Sequence, residues 1–434
     1  MKNRSNIHKQ FVYILAVFIT VCSCSGELDI TPRSSLSPDA VTADDAEALL
    51  TGCYDGVQGG GYAHFYLSYL TDDNSADNLV WKRYFTQHQE IDNNNIQTNN
   101  SMISRWWSGY YVNIGRTNNL ISAIADVDES TFTPASRKNE ILAEARFLRA
   151  WCYFYLVTRW GDVPLVLEND QETLPERTSA SSIWEQIETD LHFSAGHAPD
   201  FSSSYTVSKP SAKAMLARAY IYQGKSTDAL PLAKELIADG TFTLDNYATI
   251  FDGSGTSSEY LLQWRNTTND PAYFAYWLVN RLELVLDPSL INAFEEGDER
   301  KSVTVTSYRG QDVCGKFPNS GAGTDNWPVA RIAELYLIAA EAEGFPQGTS
   351  YLNTLREHRG LEAISPGNED EFLTMLLHER RVELAVEGFR WYDLIRFGVA
   401  IETLPGVNST NQLLYPIPQG ERDINENLSQ NPGY

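Results

Sequence analysis

The feature that most constrains the fold of this chain is the recurrence of apolar residues at steps of three and four over much of its length. The strongest case is residues 137–159, in which Ile141, Ala145, Leu148 and Cys152 follow this spacing. Such spacing places apolar side chains on one face of a helix, so it predicts an amphipathic helix. The same criterion predicts further helices at about 42–57, 102–126, 180–195, 210–223, 226–238, 329–343, 348–358 and 370–387.

Two of these helices, 210–223 and 226–238, form a tight pair joined at Gly224. Small residues on both segments predict that the two helices approach closely; these are Ala214, Ala217, Ala219 and Ala229. The spacing resembles a tetratricopeptide hairpin, although no strict repeat of that kind is visible along the chain.

Two stretches interrupt the helical pattern. Residues 71–101 are predicted to be a long polar loop, and a compact domain rarely keeps such a loop without a function. Residues from about 240 to 328 are rich in Gly, Ser, Thr, Asn and aromatic residues, with a strand-like segment at Ser302–Tyr308. We interpret this second stretch as an irregular region inserted between helices.

The amino-terminal segment predicts export. Residues 1–23 combine a basic head with the apolar run Phe11–Val21, which is typical of a secretory signal and too short to span a membrane. Cys24 directly follows small residues, which indicates a lipoprotein signal with acylation of Cys24. Residues 24–41 then form a polar, lipidated tether, and 42–434 form a single domain. The alternative is a plain secretory signal with a chance cysteine.

The charge of the chain excludes one class of function. The 434 residues contain 57 acidic against 33 basic side chains, a formal net charge of −24, and removal of the signal would take away three cations. Such a surface repels phosphate backbones, so nucleic-acid binding is not expected. Anionic lipid is not attracted either, so membrane association would depend on the acyl anchor.

Signals for catalysis, metals and cofactors are weak, and we predict no catalytic residue, metal site or cofactor. His378-Glu379 lacks the second histidine of a zinc helix, and no phosphate loop or nucleophile elbow is present. Cys53 and Cys152 are predicted to be core residues, whereas the state of Cys314 stays open. Charged residues on two helices are interpreted as buried pairs between helices; they are Arg146, Arg149, Glu379, Arg380, Arg381, Glu383 and Glu387.

Ordered blocks over some 400 residues resemble the SusD/RagB family of outer-membrane nutrient-binding lipoproteins. The lipidated start is Cys24 with Leu28, Asp29 and Pro32. The remaining blocks are Ala48–Gly56, Glu144–Ala150, Tyr153–Phe154, Trp160–Val166, Lys213–Tyr220, Arg331–Leu337, Ala340–Ala342, Leu352–Asn353, Leu355–Arg356, Glu379–Ala385, Glu387–Arg396, Tyr415–Pro418 and Gln430–Tyr434. The chain departs from the family only in being short, which implies trimmed loops.

The resemblance implies an all-α fold, in which four tetratricopeptide-like helix pairs form a scaffold and irregular loops build a glycan site on one face. It further implies a lipid-anchored protein on the cell surface, in the outer membrane. Its partner would be a SusC-like TonB-dependent transporter, to which it delivers an oligosaccharide. The resemblance implies no chemical reaction.

Binding residues are predicted from the chemistry of sugars, whose C–H faces stack on aromatic rings and whose hydroxyls bond amides, carboxylates and guanidinium groups. Two polar regions offer this combination. The candidates are Asp72, Asp73, Asn78, Trp81 and Tyr84 in the first region, and Trp264, Tyr273, Tyr276, Trp277, Arg309 and Trp327 in the second. Trp81 is the principal candidate because it is a lone tryptophan in a polar loop. Asp72, Asp73 and Asp77 also suit calcium, but hydroxyl contact is the favoured interpretation.

Two other functions stay open on the same scaffold. The first is capture of a peptide or glycopeptide, as in RagB-like relatives. The second is a glycoside hydrolase, which would need two carboxylates facing each other across a cleft. The glycan itself stays open among starch, fructan, hemicellulose and host glycans.

Overall fold

The computed structural model describes residues 41–58, 65–83, 85–169 and 174–434. Predictions for Cys24, the signal and the tether therefore lie outside the described residues, as does Tyr84. Within the described part, helices provide most of the regular structure, and the strands are short and paired in twos.

In chain order, the helices are α1 (Ala43–Gln58), α2 (Thr71–Asn74), α3 (Thr86–Asp92), α4 (Ser101–Ala125), α5 (Arg137–Trp160), α6 (Ala180–His197), α7 (Lys209–Tyr222), α8 (Ser226–Asp239), α9 (Tyr247–Ile250), α10 (Phe274–Leu278), α11 (Pro288–Ala293), α12 (Glu299–Thr304), α13 (Ile332–Glu343), α14 (Thr349–Glu357), α15 (Glu369–Glu383), α16 (Arg390–Arg396), α17 (Ala400–Thr403) and α18 (Gln419–Ile424). The strands are β1 (Leu79–Trp81), β2 (Tyr260–Trp264), β3 (Leu284–Leu286), β4 (Val305–Tyr308), β5 (Gln311–Cys314) and β6 (Trp327–Arg331). Short 3₁₀ segments cover Phe65–Leu70, Glu129–Thr131 and Thr410–Leu413.

The long helices pack in a continuous series, each against its neighbours. Helix α1 packs on α4, α4 on α5, α5 on α6, α6 on α7 and α7 on α8, while α13 joins α8 to α14 and α15. The predicted helical scaffold of tetratricopeptide-like pairs is thereby confirmed. Residues Ala43–Tyr434 form one compact unit. No helix in the described part is long and apolar enough to cross a membrane.

Local sequence explains where several helices begin and end. Helix α4 begins after Asn100, whose side chain accepts hydrogen bonds from the backbone N–H groups of Met102 and Ile103. Helix α7 begins with a capping box between Ser208 and Ser211, with a proline in its first turn. Helix α8 ends at Gly240, whose left-handed φ of 77° is a conformation that glycine adopts without a steric penalty.

Helix α5 lies at the centre of the core because it is buried on nearly every side between α4 and α6. Its Trp151 and Trp160 have almost no exposed surface, and the same holds for Trp106 on α4. Trp107 and Trp391 are also buried and belong to the core. The alanines predicted between α7 and α8 are likewise buried; they are Ala214, Ala217, Ala219 and Ala229.

The two stretches predicted to be irregular contain regular elements that pair over long distances. The predicted loop 71–101 holds α2, β1 and α3, so the expectation of a continuous loop was wrong. Strand β1 pairs with β3, and β2 pairs with β6, both antiparallel. The predicted strand at Ser302–Tyr308 begins only at Val305, and the predicted helix at 329–343 begins at Ile332, because the residues before it belong to β6.

A network of buried ion pairs joins α15 to the strands and to α12 and α14. The carboxylate of Glu383 accepts hydrogen bonds from Arg300, Arg331 and Arg359, and all four side chains are buried. Burial alone would raise the pKa of Glu383, but Arg359 and Arg331 hold this pKa well below its usual range. Glu379 and Glu387 bond further cations of the network, Arg356 and Lys316 among them. The interpretation of these carboxylates as structural is confirmed.

The other charged residues of that predicted set also have interior partners. Arg149 pairs with Asp190 at 2.8 Å and Arg380 with Asp393 at 2.8 Å, while Arg381 lies 3.1 Å from Asp77. Arg146 differs, because its guanidinium lies 4.0 Å from the centroid of the Phe193 ring. No group of three metal-ligating side chains occurs among the described residues.

The three described cysteines are buried free thiols: Cys53, Cys152 and Cys314. Burial raises the pKa of Cys53 to about 12 and that of Cys314 to about 12, so both thiols stay protonated and unreactive. The core role predicted for Cys53 and Cys152 is confirmed, and Cys314 is placed at the end of β5 in the interior.

Candidate functional site

A cleft of about 490 Å³ lies between the end of β1 and the segment that joins α10 to β3. Its lining consists of Arg83, Phe85, Trp277, Asn280, Arg281 and Glu283. These residues come from two segments about 200 positions apart in the sequence, which antiparallel pairing of β1 with β3 brings together. The cleft is therefore a product of tertiary structure, and no local motif encodes it.

Backbone hydrogen bonds hold the two walls of the cleft in register. Beyond the strand pair, the N–H of Lys82 donates to the carbonyl oxygen of Glu283 at 2.8 Å. The N–H of Glu283 donates to the carbonyl oxygen of Trp277 at 3.2 Å, and Nη2 of Arg83 donates to the carbonyl oxygen of Arg281 at 3.2 Å. The bonds from Lys82 and Arg83 tie the two walls together, and the bond from Glu283 closes the Trp277 segment on itself, so no aromatic face is used.

Aromatic rings dominate the exposed surface in and beside the cleft. Phe85 is 44% exposed, and Trp277 is half-buried. Tyr273 and Tyr276, on the same short helix as Trp277 or next to it, are 41% and 36% exposed. Their ring centroids lie 6.1 Å apart with an interplanar angle of 81°. Because few large apolar side chains in the described residues are this exposed, the group marks a surface suited to an apolar ligand face.

Helix α10 presents these rings because its other side is anchored in the core. Phe274 and Leu278 are buried, and Phe274 packs edge-on against Trp327 and Phe317 at 5.3 and 4.9 Å between ring centroids. Tyr276 lies on the opposite, exposed side of this short helix, and the partly buried Trp277 lies at the border between the two sides. The buried Phe274 thus fixes the outward orientation of its neighbours.

Trp81 supports the cleft from the interior. Its indole stacks on the ring of His88, with centroids 4.2 Å apart and an interplanar angle of 19°, and His88 in turn contacts Phe85 at 5.5 Å. Trp81 itself is only 5% exposed. The expectation that Trp81 is the principal sugar platform is therefore corrected: its position in β1 buries it, and Phe85 is the exposed ring of this stack.

Polar groups at the cleft are few and specific. Nε of Arg281 donates to Oε1 of Glu283 at 2.6 Å, and the Arg281 guanidinium lies 4.5 Å from the centroid of the Trp277 ring. The side-chain oxygen of Asn280 is buried and has no hydrogen-bond partner among the described residues. A buried acceptor without a donor is costly, so Asn280 is suited to accept a hydrogen bond from a bound hydroxyl.

The remaining candidates of the first region are interior residues with their own partners. Asp72 pairs with Arg159 at 2.9 Å, and both side chains are fully buried. Asp73 accepts hydrogen bonds from Asn78 Nδ2 at 2.7 Å and from the N–H of Gly388 at 2.7 Å. Burial raises the pKa of Asp73 to about 7. The expectation of ligand contact is corrected for Asp72, Asp73 and Asn78, because these hydrogen bonds hold their polar groups inside the protein.

Two candidates of the second region are also in the core. Trp264 and Trp327 face each other in the β2–β6 pair and are 1% and 2% exposed. Neither ring offers a face to a ligand, so the expectation for both is corrected. Arg309 is exposed in the turn between β4 and β5 and lies over the Tyr308 ring at 5.1 Å, outside the cleft lining.

The structure thus brings Trp277 into the cleft lining, whereas Tyr273 and Tyr276 are exposed near it along the chain but do not line the cleft. It adds five lining residues that the sequence did not single out: Arg83, Phe85, Asn280, Arg281 and Glu283. The first two lie in the mixed basic and aromatic run Lys82-Arg83-Tyr84-Phe85, and that run was the available signal.

Comparison with known proteins assigns the fold to a family. The family described as "Starch-binding associating with outer membrane" matches residues 28–222, and the SusD family matches residues 300–408. Together these two regions account for most of the chain. The chain belongs to the SusD/RagB family, as the sequence blocks indicated.

Relatives of this chain span its whole length. SusD-like protein P2 of Formosa agariphila is 26% identical, with 98% of this chain and all of the relative covered. SusD-like protein P38 of the same organism is 25% identical, with both chains fully covered.

Solved structures give the same assignment. A laminarin-binding SusD-like protein is 27% identical and superposes with a TM-score of 0.78, covering 91% of this chain and all of the other. A SusD superfamily protein from Bacteroides vulgatus has a TM-score of 0.80 at 22% identity, covering 90% of this chain and 99% of the other, which shows the shared fold.

Proposed function

We propose that this protein is a cell-surface glycan-binding protein that captures an oligosaccharide in the cleft beside Trp277 and delivers it to a SusC-like TonB-dependent transporter. The observation that carries the proposal is the grouping of exposed rings with an unpartnered amide oxygen. Phe85 and Trp277 line the cleft and offer apolar faces, and Asn280 offers an acceptor for a hydroxyl. A sugar needs both kinds of group at once.

Family membership supports the same function. One matching family is described as starch-binding and associated with the outer membrane, and one solved relative is named as laminarin-binding. Surface location would depend on acylation of Cys24, which is outside the described residues. Delivery to a transporter is the part of the proposal that rests on the family resemblance alone.

Binding without catalysis fits the lining of the cleft. Glycoside hydrolysis usually requires two carboxyl groups about 5–10 Å apart across the sugar. Among the described residues that line the cleft, Glu283 is the one carboxylate, and Arg281 engages it as an ion pair at 2.5 Å. This arrangement favours a binding protein over a hydrolase.

The binding test is a panel of soluble polysaccharides run in affinity gels, followed by calorimetry on those that retard the protein. Trp277→Ala should weaken binding of the retained glycan by about tenfold or more, which corresponds to about 1.4 kcal/mol. The control is Tyr434→Ala, because Tyr434 is also an aromatic residue with an accessible ring, 36% exposed, but lines a different cleft. A failure of the whole panel to retard the wild-type protein, or equal loss in both variants, would contradict the proposal.

The delivery step has a separate test. Cross-linking in intact cells, followed by purification of this protein, should recover a TonB-dependent transporter with the wild type. The Cys24→Ser variant should no longer be labelled by palmitate, and the transporter should no longer be recovered with it. Recovery of the same transporter with the unlabelled variant would show that anchoring does not determine the partnership.

A further inference from the structure

We propose that the cleft beside Trp277 selects acidic glycans, and that Arg83 binds their carboxylate or sulfate groups. This inference rests on the proposed function and specifies its substrate class. The starting observation is the charge of the lining, which has two guanidinium groups, Arg83 and Arg281, against one carboxylate, Glu283. The chain as a whole carries a formal net charge of −24, so an excess of positive charge at its candidate ligand site runs against the rest of the protein.

Arg83 is unlike most arginines of the described part, which lie within 4 Å of a carboxylate. Interior examples are Arg159 with Asp72, and Arg359 with Glu259 and Glu383. Arg83 has no such carboxylate among the described residues, and its Nη2 donates only to the backbone oxygen of Arg281. Its charge is therefore uncompensated, and the rest of its fork of N–H groups is available for an oxyanion.

Arg281 contributes the second guanidinium of the cleft, from the wall opposite Arg83. Its side chain is half exposed, whereas the carboxylate of Glu283 that it pairs with is nearly buried. The ion pair and the contact with the Trp277 ring, at 4.5 Å, hold the guanidinium beside the aromatic face. Glu283 thus neutralises and positions Arg281, and the net positive charge of the lining remains with Arg83.

The groups of the cleft match those of one acidic sugar residue. A uronic acid or a sulfated sugar carries a C–H face, hydroxyls and an oxyanion on a single ring. Trp277 offers the ring face, the buried oxygen of Asn280 accepts from a hydroxyl, and Arg83 supplies the fork that binds a carboxylate or sulfate in two places. A neutral glycan would leave the charge of Arg83 without an oxyanion, with only its bond to the backbone oxygen of Arg281.

The test compares matched ligands that differ only in charge. Oligogalacturonate and its methyl ester form the carboxylate pair, and dextran sulfate and dextran form the sulfate pair. Calorimetry should give binding of at least one acidic member about tenfold or more tighter than that of its neutral counterpart. The pair that shows the difference identifies the oxyanion.

The variant Arg83→Gln should remove most of that difference while retaining the uncharged hydrogen-bonding groups of the side chain. The control is Arg105→Gln, which changes the net charge equally at an exposed arginine of α4 outside the cleft lining. The control should keep the preference for the acidic ligand. If the two variants lose the preference for the acidic ligand equally, the preference depends on the net charge of the protein and not on Arg83, and the inference is wrong.

The outcomes separate this inference from the function on which it rests. If neutral glycans bind as well as acidic ones and Trp277→Ala weakens both, the glycan-binding function stands and the assignment to acidic glycans is wrong. If neither acidic nor neutral glycans bind, both proposals are wrong.

Discussion

Trp264 and Trp277 belong to the same part of the chain but have opposite environments. Trp264 lies in β2 opposite Trp327 and is 1% exposed, whereas Trp277 lies on a short helix whose far side is anchored by Phe274. Arginines show the same contrast, because Arg359 is buried between two carboxylates, whereas Arg83 lines the cleft and has no carboxylate within 4 Å among the described residues. The comparison teaches that residue type does not distinguish a binding residue from a structural one; the partners already present do.

The largest expected effect is on stability and comes from removing the buried carboxylate of Glu383, a structural residue. Glu383→Ala would leave Arg300, Arg331 and Arg359 short of a shared carboxylate in a buried site, so we expect a loss of about 3–5 kcal/mol in the free energy of unfolding. Denaturant titration measures this loss. Glu295→Ala is the control, since Glu295 is partly exposed and bonds Arg356, and it should cost no more than about 1 kcal/mol. Similar costs for the two variants would contradict the interpretation.

The two tryptophans provide the second prediction. Trp264→Ala should lower the free energy of unfolding by about 3–5 kcal/mol because it creates a cavity in the core. Trp277→Ala should lower it by less, about 1 kcal/mol, since the ring is only partly buried and its removal leaves a smaller cavity. Urea unfolding of both variants decides the matter, and equal destabilisation would mean that Trp277 is a core residue.

The third prediction concerns the buried carboxyl group of Asp73, which forms no ion pair among the described residues. Burial raises the pKa of Asp73 to about 7, so the folded protein holds a proton there that the unfolded chain releases at about 4. The stability that Asp73 contributes is present below about pH 4 and is lost as pH rises toward about 7. Asp73→Asn should therefore gain stability relative to wild type between pH 4 and 7. A constant difference across this range, measured by urea unfolding, would show that Asp73 is ionised throughout.

The smallest effect concerns the cleft itself. Among the described residues, the guanidinium of Arg83 bonds only a backbone oxygen, so Arg83→Gln should change the free energy of unfolding by no more than about 0.5 kcal/mol. Calorimetric melting is the measurement. A loss as large as that of Glu383→Ala would show that Arg83 has a structural role, and would make its ligand-binding variants uninterpretable.

Much of the scaffold could be predicted from the sequence because buried helix faces leave a periodic trace. The spacing in 137–159 led directly to α5, and the small residues between 210 and 238 led to the α7–α8 pair. Boundaries were less accurate: the residues before Ile332 appear helical by pattern but pair with β2 instead. Hydrogen bonds to a strand about seventy positions away override the local helical preference of these residues, and such long-range pairing leaves no pattern in the local sequence.

The site was predicted less well for the same reason. Asp72 and Asp73 belong to a polar run that is typical of a solvent-exposed loop, yet they are buried because Arg159 and the backbone of Gly388 meet them from distant segments. Trp81 was expected to be exposed for similar reasons and instead lies beneath His88. Trp277 was among the sequence candidates and lines the cleft, while Phe85 required the three-dimensional structure.

The pairing of β1 with β3 has a thermodynamic consequence. Since it joins segments about 200 residues apart, the unfolded chain possesses no trace of the cleft, and a ligand can bind only the native state. Any molecule held there must then raise the melting temperature by mass action, by an amount equivalent to about 2.7 kcal/mol at a hundredfold excess over Kd. The melting temperature therefore reports how much of the protein has ligand in the cleft. A thermal-shift screen can rank candidate glycans without labelling them.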